Sequence, residues 1–357
     1  DLYIGLIISW KKNFLSYKTN EYKKLKIFSG NKYDDLRYSL YNNGIGVNSI
    51  KKNNTNTHID IFENQYNTKL RLKENISKSI RDSGLAIEEV LVTYNTNGLA
   101  VSQDPKVISY ENVVYQRVNK SYTNISNGLV LRPFLAGRES FLKLAVIAET
   151  DISFVINQGL SVTTNLKYTF LQNFDELYIP PINTYPNQVR SDVKDYLRNF
   201  GDRVIVGRSQ IDYFKTIGNN HHVLFSAGYL EEMFGGYGFE YLWYDEKKPY
   251  ALGFEIFDVQ KRDYKLRFGL DDYKNLTTHL NFYYKNDYLV PLDIQISYGE
   301  YLAGDKGYTL DVSRHFNNGV SMGAFITQTD VSYQNFGEGS FDKGIYFTIP
   351  LQGKWFN

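Results

Sequence analysis

Residues 203 to 350 consist of segments of 9 to 12 residues that alternate apolar and polar side chains and end at turns rich in Gly, Asn, Asp and Lys. In one segment Leu292, Ile294 and Ile296 alternate with Asp293, Gln295 and Ser297. Successive side chains of a strand point to opposite faces, so the pattern predicts strands with one apolar and one polar face. Such a series is typical of a transmembrane β-barrel, apolar toward lipid and polar toward a wet interior.

A soluble β-sandwich or soluble barrel is the alternative, because those folds carry the same period. Two features favour the membrane barrel. Many of the 31 Tyr and 23 Phe lie near predicted strand ends, as Tyr237, Tyr241 and Trp243 do, where the aromatic belts of membrane barrels lie. A face of small polar residues would also make a poor dry core.

The alternation predicts twelve barrel strands, at about 128–136, 141–156, 160–171, 203–217, 221–231, 237–245, 250–260, 276–285, 291–302, 308–316, 320–329 and 343–351. Residues 187–200 are excluded because Val189, Val193 and Leu197 follow helical spacing, which predicts a helix packed on the barrel with Arg190, Asp192 and Lys194 toward water. The exclusion leaves an even strand number and sorts the long connections to one side, as in bacterial outer-membrane barrels.

A small α/β unit is predicted over residues 32–105, in the order αββαβ. Its second helix, 68–83, carries Leu72, Ile76 and Ile80 at four-residue spacing and ends before Gly84. Residues 1–31 are interpreted as the last strand of a preceding barrel plus a linker, and 106–357 as the barrel itself. The fold prediction is thus mainly β, an antiparallel transmembrane barrel of about twelve strands after an αββαβ domain.

Charge and composition exclude several classes. The 40 basic and 39 acidic residues give a net charge of +1, which provides no electrostatic case for nucleic acid. No stretch of 18 apolar residues is present, so no transmembrane helix is predicted. The sequence has no Gly-rich phosphate loop, and neither a cofactor nor a metal is expected.

Four stretches carry a family resemblance: AGYLEEMFGGYGFEYLW (227–243), QKRDY (260–264), YGEYLAGDKGYTLDVSRHFNNGVSMGAFITQTDVS (298–332) and FGEGSFDKGIYFTIPL (336–351). They resemble the YjbH/GfcD-type outer-membrane proteins of exopolysaccharide and capsule biosynthesis. The resemblance implies two tandem barrels with α/β material between them. It also implies a role in polysaccharide assembly or export in the outer membrane of a Gram-negative bacterium, with polysaccharide, outer-membrane lipid and other secretion proteins as partners. The even strand number, separately, predicts that both barrel ends and the α/β domain lie in the periplasm.

Two groups of polar residues are candidates for function. Seven strand residues are expected to face the barrel interior and a hydrated glycan: Glu240, Glu255, Asp293, Gln295, Asp311, Ser313 and Thr327. Four carboxylates, Glu231, Glu232, Glu338 and Asp342, are placed in loops, where acid and base roles on a sugar are conceivable but solvated turn residues are commoner. His221 and His222 point to opposite faces of a strand and do not form a metal pair.

The function predicted from these observations is non-enzymatic, a barrel protein that serves exopolysaccharide or capsule biosynthesis and export. Two alternatives remain. One is a barrel enzyme that modifies or cleaves polysaccharide with loop carboxylates such as Glu231 and Glu338. The other is a periplasmic assembly or docking protein that the barrel only anchors.

Overall fold

The computed structural model describes residues 8–15, 30–64, 69–96, 99–102, 112–117, 121–135, 142–157, 159–177, 192–201, 204–218, 220–245, 247–286, 291–316, 320–332 and 341–348. Its elements are, in chain order, β1 (Ile8–Leu15), α1 (Lys32–Asn42), β2 (Ile45–Lys52), β3 (Thr57–Asn64), α2 (Lys69–Asp82), β4 (Val90–Thr96), β5 (Leu99–Ser102), β6 (Asn112–Gln116), β7 (Tyr122–Leu135), β8 (Leu142–Asn157), β9 (Leu160–Gln172), α3 (Val193–Arg198), β10 (Val204–Ile217), β11 (His221–Tyr229), β12 (Phe234–Tyr244), β13 (Tyr250–Arg262), β14 (Leu270–Asn286), β15 (Leu292–Glu300), β16 (Lys306–His315), β17 (Ser321–Thr329) and β18 (Asp342–Thr348). Single 3₁₀ turns lie at Ile87–Glu89, Phe174–Glu176 and Asn199–Gly201.

The α/β unit is a five-stranded sheet in the order β5-β4-β3-β2-β6, with α1 and α2 packed on it. The pair β3 and β4 is parallel, and the other pairs are antiparallel. The start of α1 is fixed by Asn31, whose side chain accepts a hydrogen bond from the Tyr33 amide at 3.0 Å, with two aspartates in the first turn. Gly44 ends it at φ +69°.

The predicted αββαβ order is present, and the sheet adds two strands to it. The strand β6 pairs with β2, so the unit reaches Gln116 and extends past the predicted boundary at residue 105. Its core is aliphatic and contains Leu36, Leu40, Ile59, Ile76 and Ile80, all buried. Burying these side chains provides the main stabilisation of the unit.

The large sheet contains β1 followed by β7 to β18 in sequence order, each strand antiparallel to its neighbours. All twelve predicted barrel segments are strands in it. The edge strand β1 pairs with β7. The assignment of residues 1–31 to a separate barrel stays a prediction. No pairing joins β18 to β1 or β7 within the described residues, so the described sheet is open.

The two faces of the large sheet differ sharply in exposure. Tyr298 and Leu280 are directly opposite one another on one face and are 61% and 60% exposed. Ser297 and Asn281, one residue further along on the other face, are each 8% exposed. We call the face that carries Tyr298 and Leu280 the outer face, and the face that carries Ser297 and Asn281 the inner face. The sheet therefore exposes large apolar side chains and covers small polar ones, the reverse of a soluble sheet.

The connections of the large sheet sort by length. The loop end, where β7, β9, β11, β13, β15 and β17 finish, carries the long connections 173–203, 263–269 and 330–341. The opposite turn end carries the short connections 218–220, 245–249 and 316–320. This is the sorting predicted once residues 187–200 are not counted as a strand. No helix in the described residues is long and apolar enough to cross a membrane.

Candidate functional site

Strand register places the seven predicted interior residues on the inner face. Glu240 is opposite Glu255, Gln295 is opposite Asp311, and Asp293 is opposite Ser313. Glu255 is in turn opposite His279, which is opposite Gly299 on the strand that carries Asp293 and Gln295. Thr327 is opposite Thr309, two residues from Asp311. Because directly opposite residues share a face, all seven lie on one polar wall that spans β12 to β17.

Hydrogen bonds join this wall across the strands. Ser297 donates to the Asn281 carboxamide at 2.6 Å and accepts from Gln295 at 3.1 Å. The Tyr346 hydroxyl donates to Asp311 at 2.7 Å. Glu255 lies 3.0 Å from His279 Nδ1. Hydrogen bonds to neighbouring side chains therefore orient these inner-face residues. A bound ligand would contact a preformed array of hydroxyl, amide and carboxylate groups.

A second polar group lies at the loop end, where four charged side chains form one network. Glu232, in the bend between β11 and β12, accepts from Arg132 at 2.9 Å and from Lys167 at 2.6 Å. Lys167 also lies 3.0 Å from Glu149. These residues come from three adjacent strands and one bend, so the network ties the start of the large sheet to the β11–β12 connection.

The Glu232 carboxylate is held in its charged form. Burial by itself raises the pKa of this group, but the positive charges of Arg132 and Lys167 and their hydrogen bonds outweigh burial and bring the pKa below its usual value. A carboxyl group held ionised between two cations is a structural partner rather than a proton donor. Its neighbour Glu231 is exposed at the same bend.

The helix α3 packs on the inner face of the large sheet at the loop end, against β7, β8 and β10. Its buried residues Tyr196 and Leu197, with Phe200 just after it, contact a cluster that includes Ala145 and Ile147 of β8. The prediction that residues 187–200 do not form a strand is confirmed for 192–200. Leu197 packs as predicted, and Val189 and Arg190 lie outside the described residues.

One part of that prediction is wrong. Asp192 was expected to face water, but its carboxylate is bonded to Lys261 and only 13% of the side chain is exposed. The helical repeat could not show this, because Lys261 comes from a strand 69 residues further along. The ion pair fixes the start of α3 against the end of β13.

The side chain of Arg262 holds the adjacent turns together. It is fully buried and donates to four backbone carbonyls, those of Val206, Gly207, Glu231 and Arg267, at 2.6–3.3 Å. Its own carbonyl accepts from the Tyr196 hydroxyl at 2.5 Å. A guanidinium has five N–H donors in a fixed planar fork and can reach four carbonyls, one more than the three donors of a lysine ammonium could satisfy. Three loop-end segments and α3 therefore converge on one residue.

A cavity of about 420 Å³ lies between α3 and the inner face at the loop end. Its lining includes Arg132, Glu149, Asp151, Asn165, Lys167, Val193, Tyr196, Gly207, Arg208, Leu230, Glu231, Glu232 and Met233. Gly207 lies at a β-bulge, where a Cβ would be 2.3 Å from Asn165 Oδ1 and 2.7 Å from Lys167 Cε. A residue with a Cβ would therefore clash with these two side chains, and glycine avoids the clash.

The four loop carboxylates have different positions. Glu231 and Glu232 are in a connection, as predicted. Asp342 is not in a loop, because it is the first residue of β18 and pairs with Thr327 of β17. The predicted strand began one residue later, at Lys343, because the stretch FGEGSF before Asp342 has no apolar alternation to mark the start. Glu338 lies outside the described residues.

The two adjacent histidines have separate partners. His222 is buried and lies 3.0 Å from Thr216, whereas His221 lies 2.6 Å from the Tyr241 hydroxyl. Across the described ranges, no group of three or more His, Asp or Glu side chains is arranged to hold a metal ion.

Of the loop-end network and cavity, Glu231 and Glu232 were predicted from the sequence as candidate functional residues, and the strand residues that line the cavity with them were missed. Glu149 and Asp151 are two residues apart on β8, and Asn165 and Lys167 are likewise two apart on β9. This spacing was a usable signal that each pair shares a face. The partnership with Glu232, which lies 65 residues after Lys167, was not visible in the sequence.

Comparison with known proteins places the chain in a family. The family model described as exopolysaccharide biosynthesis protein YbjH matches residues 93–355. An uncharacterized lipoprotein, YjbH of Escherichia coli strain K12, is 33% identical over 241 residues, which are 66% of this chain and 34% of that protein. The chain thus spans about a third of the length of this relative. No solved structure matches. The resemblance inferred from the sequence is confirmed, and the chain belongs to the YjbH family of exopolysaccharide biosynthesis proteins.

Proposed function

We propose that the chain is a non-enzymatic outer-membrane barrel protein that takes part in exopolysaccharide or capsule export, with its α/β unit in the periplasm. The observation that carries this proposal is the inverted large sheet. Apolar side chains such as Ile345, 70% exposed, cover its outer face, and small polar side chains cover its inner face. Lipid is the surrounding in which such an outer face is stable.

Closure of the barrel requires one rearrangement. The twelve strands β7 to β18 alternate in direction, so β18 runs antiparallel to β7 and can pair with it, as an even-stranded barrel needs. In the structure β1 holds that edge of β7. Cysteine pairs introduced in β7 and β18 should therefore form disulfides in the membrane-embedded protein, and the absence of native cysteine keeps this assay free of background.

The inner face suits a polymer that must pass. Hydroxyl, amide and carboxylate groups spread over six strands offer many weak hydrogen bonds to sugar hydroxyls, so a chain can enter and leave. A tight site for one small ligand would instead be mostly apolar and enclosed. The polysaccharide is therefore proposed as cargo, and other secretion proteins as the partners that deliver it.

The test is deletion and complementation in a producing strain. Loss of the protein should lower secreted or surface polysaccharide without changing its repeat unit. The variants Glu231→Gln and Glu338→Gln should leave secretion largely intact, because neither carboxylate is proposed to catalyse a step. A changed sugar composition or chain-cleavage pattern in either variant would support the enzyme alternative instead.

The position of the α/β unit is tested separately. Protease added to intact cells should leave residues 32–116 uncut, and protease admitted to the periplasm should cleave the chain between β1 and α1. Cleavage of that segment from outside the cell would reverse the proposed topology. Capture of secretion proteins by the α/β unit with the barrel removed would favour the docking alternative.

A further inference from the structure

The cavity beneath α3 contains a buried polar atom that lacks a partner. The Asn165 side chain is 8% exposed, and its Nδ2 donates to Asp151 at 2.7 Å. Its Oδ1 accepts no hydrogen bond from any described residue. A buried acceptor left unsatisfied costs free energy, and native proteins pair almost all such atoms. A ligand in this cavity that donates a hydrogen bond would satisfy it.

The charges around the cavity restrict the ligand. The lining cations are Arg132, Lys167 and Arg208, and the lining anions are Glu149, Asp151, Glu231 and Glu232, which leaves three against four and a net charge of −1. Two of the three cations are already bonded to carboxylates of the same lining. Of the three cations only Arg208 could meet a phosphate or a uronate without displacing those partners, and the anion would add negative charge to a negative site.

A neutral polyhydroxyl ligand faces neither cost. Each sugar hydroxyl both donates and accepts, so it can donate to Asn165 Oδ1 and accept from a neighbouring donor without adding charge to the site. Val193, Leu230 and Met233 supply apolar surface for the C–H faces of a sugar ring. A volume of about 420 Å³ lies within the range of small-ligand sites, roughly 300–1,000 Å³.

We propose that the cavity between α3 and the inner face is a binding site for a short neutral saccharide, with a sugar hydroxyl donating to Asn165. The inference rests on the proposed export function, which supplies the glycan. In that setting the site lies at the loop end of the barrel, where the ion pair of Asp192 and Lys261 holds α3 over it.

The site is tested by calorimetric titration of the purified full chain in detergent. The probes are three neutral disaccharides, cellobiose, lactose and maltose, and two anions, glucuronate and inorganic phosphate. At least one disaccharide should bind, and neither anion should bind more tightly than it. Failure of all three disaccharides, or a preference for an anion, overturns the proposal.

Two variants locate the binding. Asn165→Leu removes the acceptor and should weaken the disaccharide about fivefold to tenfold, the value of one hydrogen bond. Leu230→Trp fills the cavity without touching an ion pair and should weaken it at least as much. Asn75→Leu on α2 is the matched control and should bind as wild type does. Thermal unfolding of each variant shows that it is folded, and wild-type affinity in both folded cavity variants refutes the site.

The two proposals fail separately. If deletion of the protein lowers secretion but the disaccharides do not bind at the cavity, export stands and the saccharide site is wrong. If binding depends on Asn165 but deletion leaves secretion unchanged, the site stands and the export function is wrong.

Discussion

The α/β unit and the large sheet are built from the same alternation of apolar and polar strand residues. The apolar face is buried in the α/β unit, whereas the polar face is covered in the large sheet. In the α/β unit the apolar positions of β3, Ile59 and Ile61, are buried. In the large sheet the apolar positions of β14, Leu276 and Leu280, are exposed, and the polar residue that follows each, Thr277 and Asn281, is covered. A period of two therefore shows that a segment has two chemically different faces, and it leaves open which face is inside.

The difference has a physical origin in what the segments contact. The α/β unit has helices with apolar faces to cover one side of its sheet, so it forms an aliphatic core. In the described residues α3 is the only helix that packs on the large sheet, and it packs on the inner face at one end. Ion pairs and cross-strand hydrogen bonds order that inner face in place of aliphatic packing.

The largest expected effect is the difference in stability lost when a leucine is truncated in the buried core of the α/β unit and on the exposed face of the large sheet. Leu40→Ala should destabilise the α/β unit by about 3–5 kcal/mol, because Leu40 is fully buried and the substitution leaves a cavity. Leu280→Ala leaves no cavity on the exposed outer face, so we expect at most the transfer free energy of the lost carbons, about 2 kcal/mol. Hydrogen exchange of β2 amides for the first variant and of β15 amides for the second measures both. Equal losses would contradict the contrast.

The next effect tests which face of the large sheet meets lipid. Ile296 and Gln295 are adjacent and lie on the outer and inner faces. In lipid vesicles Ile296→Arg should cost about 2–4 kcal/mol of folding free energy, because a charge near the membrane midplane is poorly solvated. Gln295→Arg, the matched control, should cost far less because it enters the polar wall. Urea-dependent folding into vesicles measures the pair, and similar losses would refute the assignment of faces.

The smallest effect concerns the loop-end network. Glu232→Gln should cost about 1 kcal/mol, because the amide keeps its place but loses the charge that Arg132 and Lys167 contact. The pKa of Glu232 is lower in the folded protein than in the unfolded chain, so the charged form stabilises the fold above about pH 4.5. That stabilisation is lost as the pH falls through the folded pKa.

Unfolding of the wild type and Glu232→Gln at a series of pH values tests this direction. Their difference in stability should be constant near neutral pH and should shrink below about pH 4.5, as the wild-type carboxyl takes up a proton. Glu231→Gln is the control for direction: burial and the neighbouring Glu232 raise the pKa of Glu231, so its charged form destabilises the fold and this variant should not lose stability near neutral pH as Glu232→Gln does. A difference that grows on acidification would mean that Glu232 is not held ionised.

The candidate sites divide in the same way. That the seven candidate strand residues share the polar face was predictable, because each lies at a polar position of an alternating strand and the period alone puts it opposite the apolar face. The loop-end cavity was not, because Glu232, Lys167 and Arg132 are far apart in sequence and meet only through the order of β7, β9 and the β11–β12 bend. Asp192 shows the same limit, since a helical repeat contains no information about Lys261.

The sequence by itself determined the twelve strands, the non-strand segment that carries α3, the αββαβ order and the family, because side-chain period, turn residues and family motifs are local properties of the chain. Only the tertiary structure decided that β5 and β6 complete the small sheet, that β1 lies on β7, and that Arg262 and Glu232 join the loop-end segments. Those outcomes depend on contacts between residues that are distant in sequence. The free energy of such a contact depends on both partners and on the cost of closing the loop between them, which no local pattern reports.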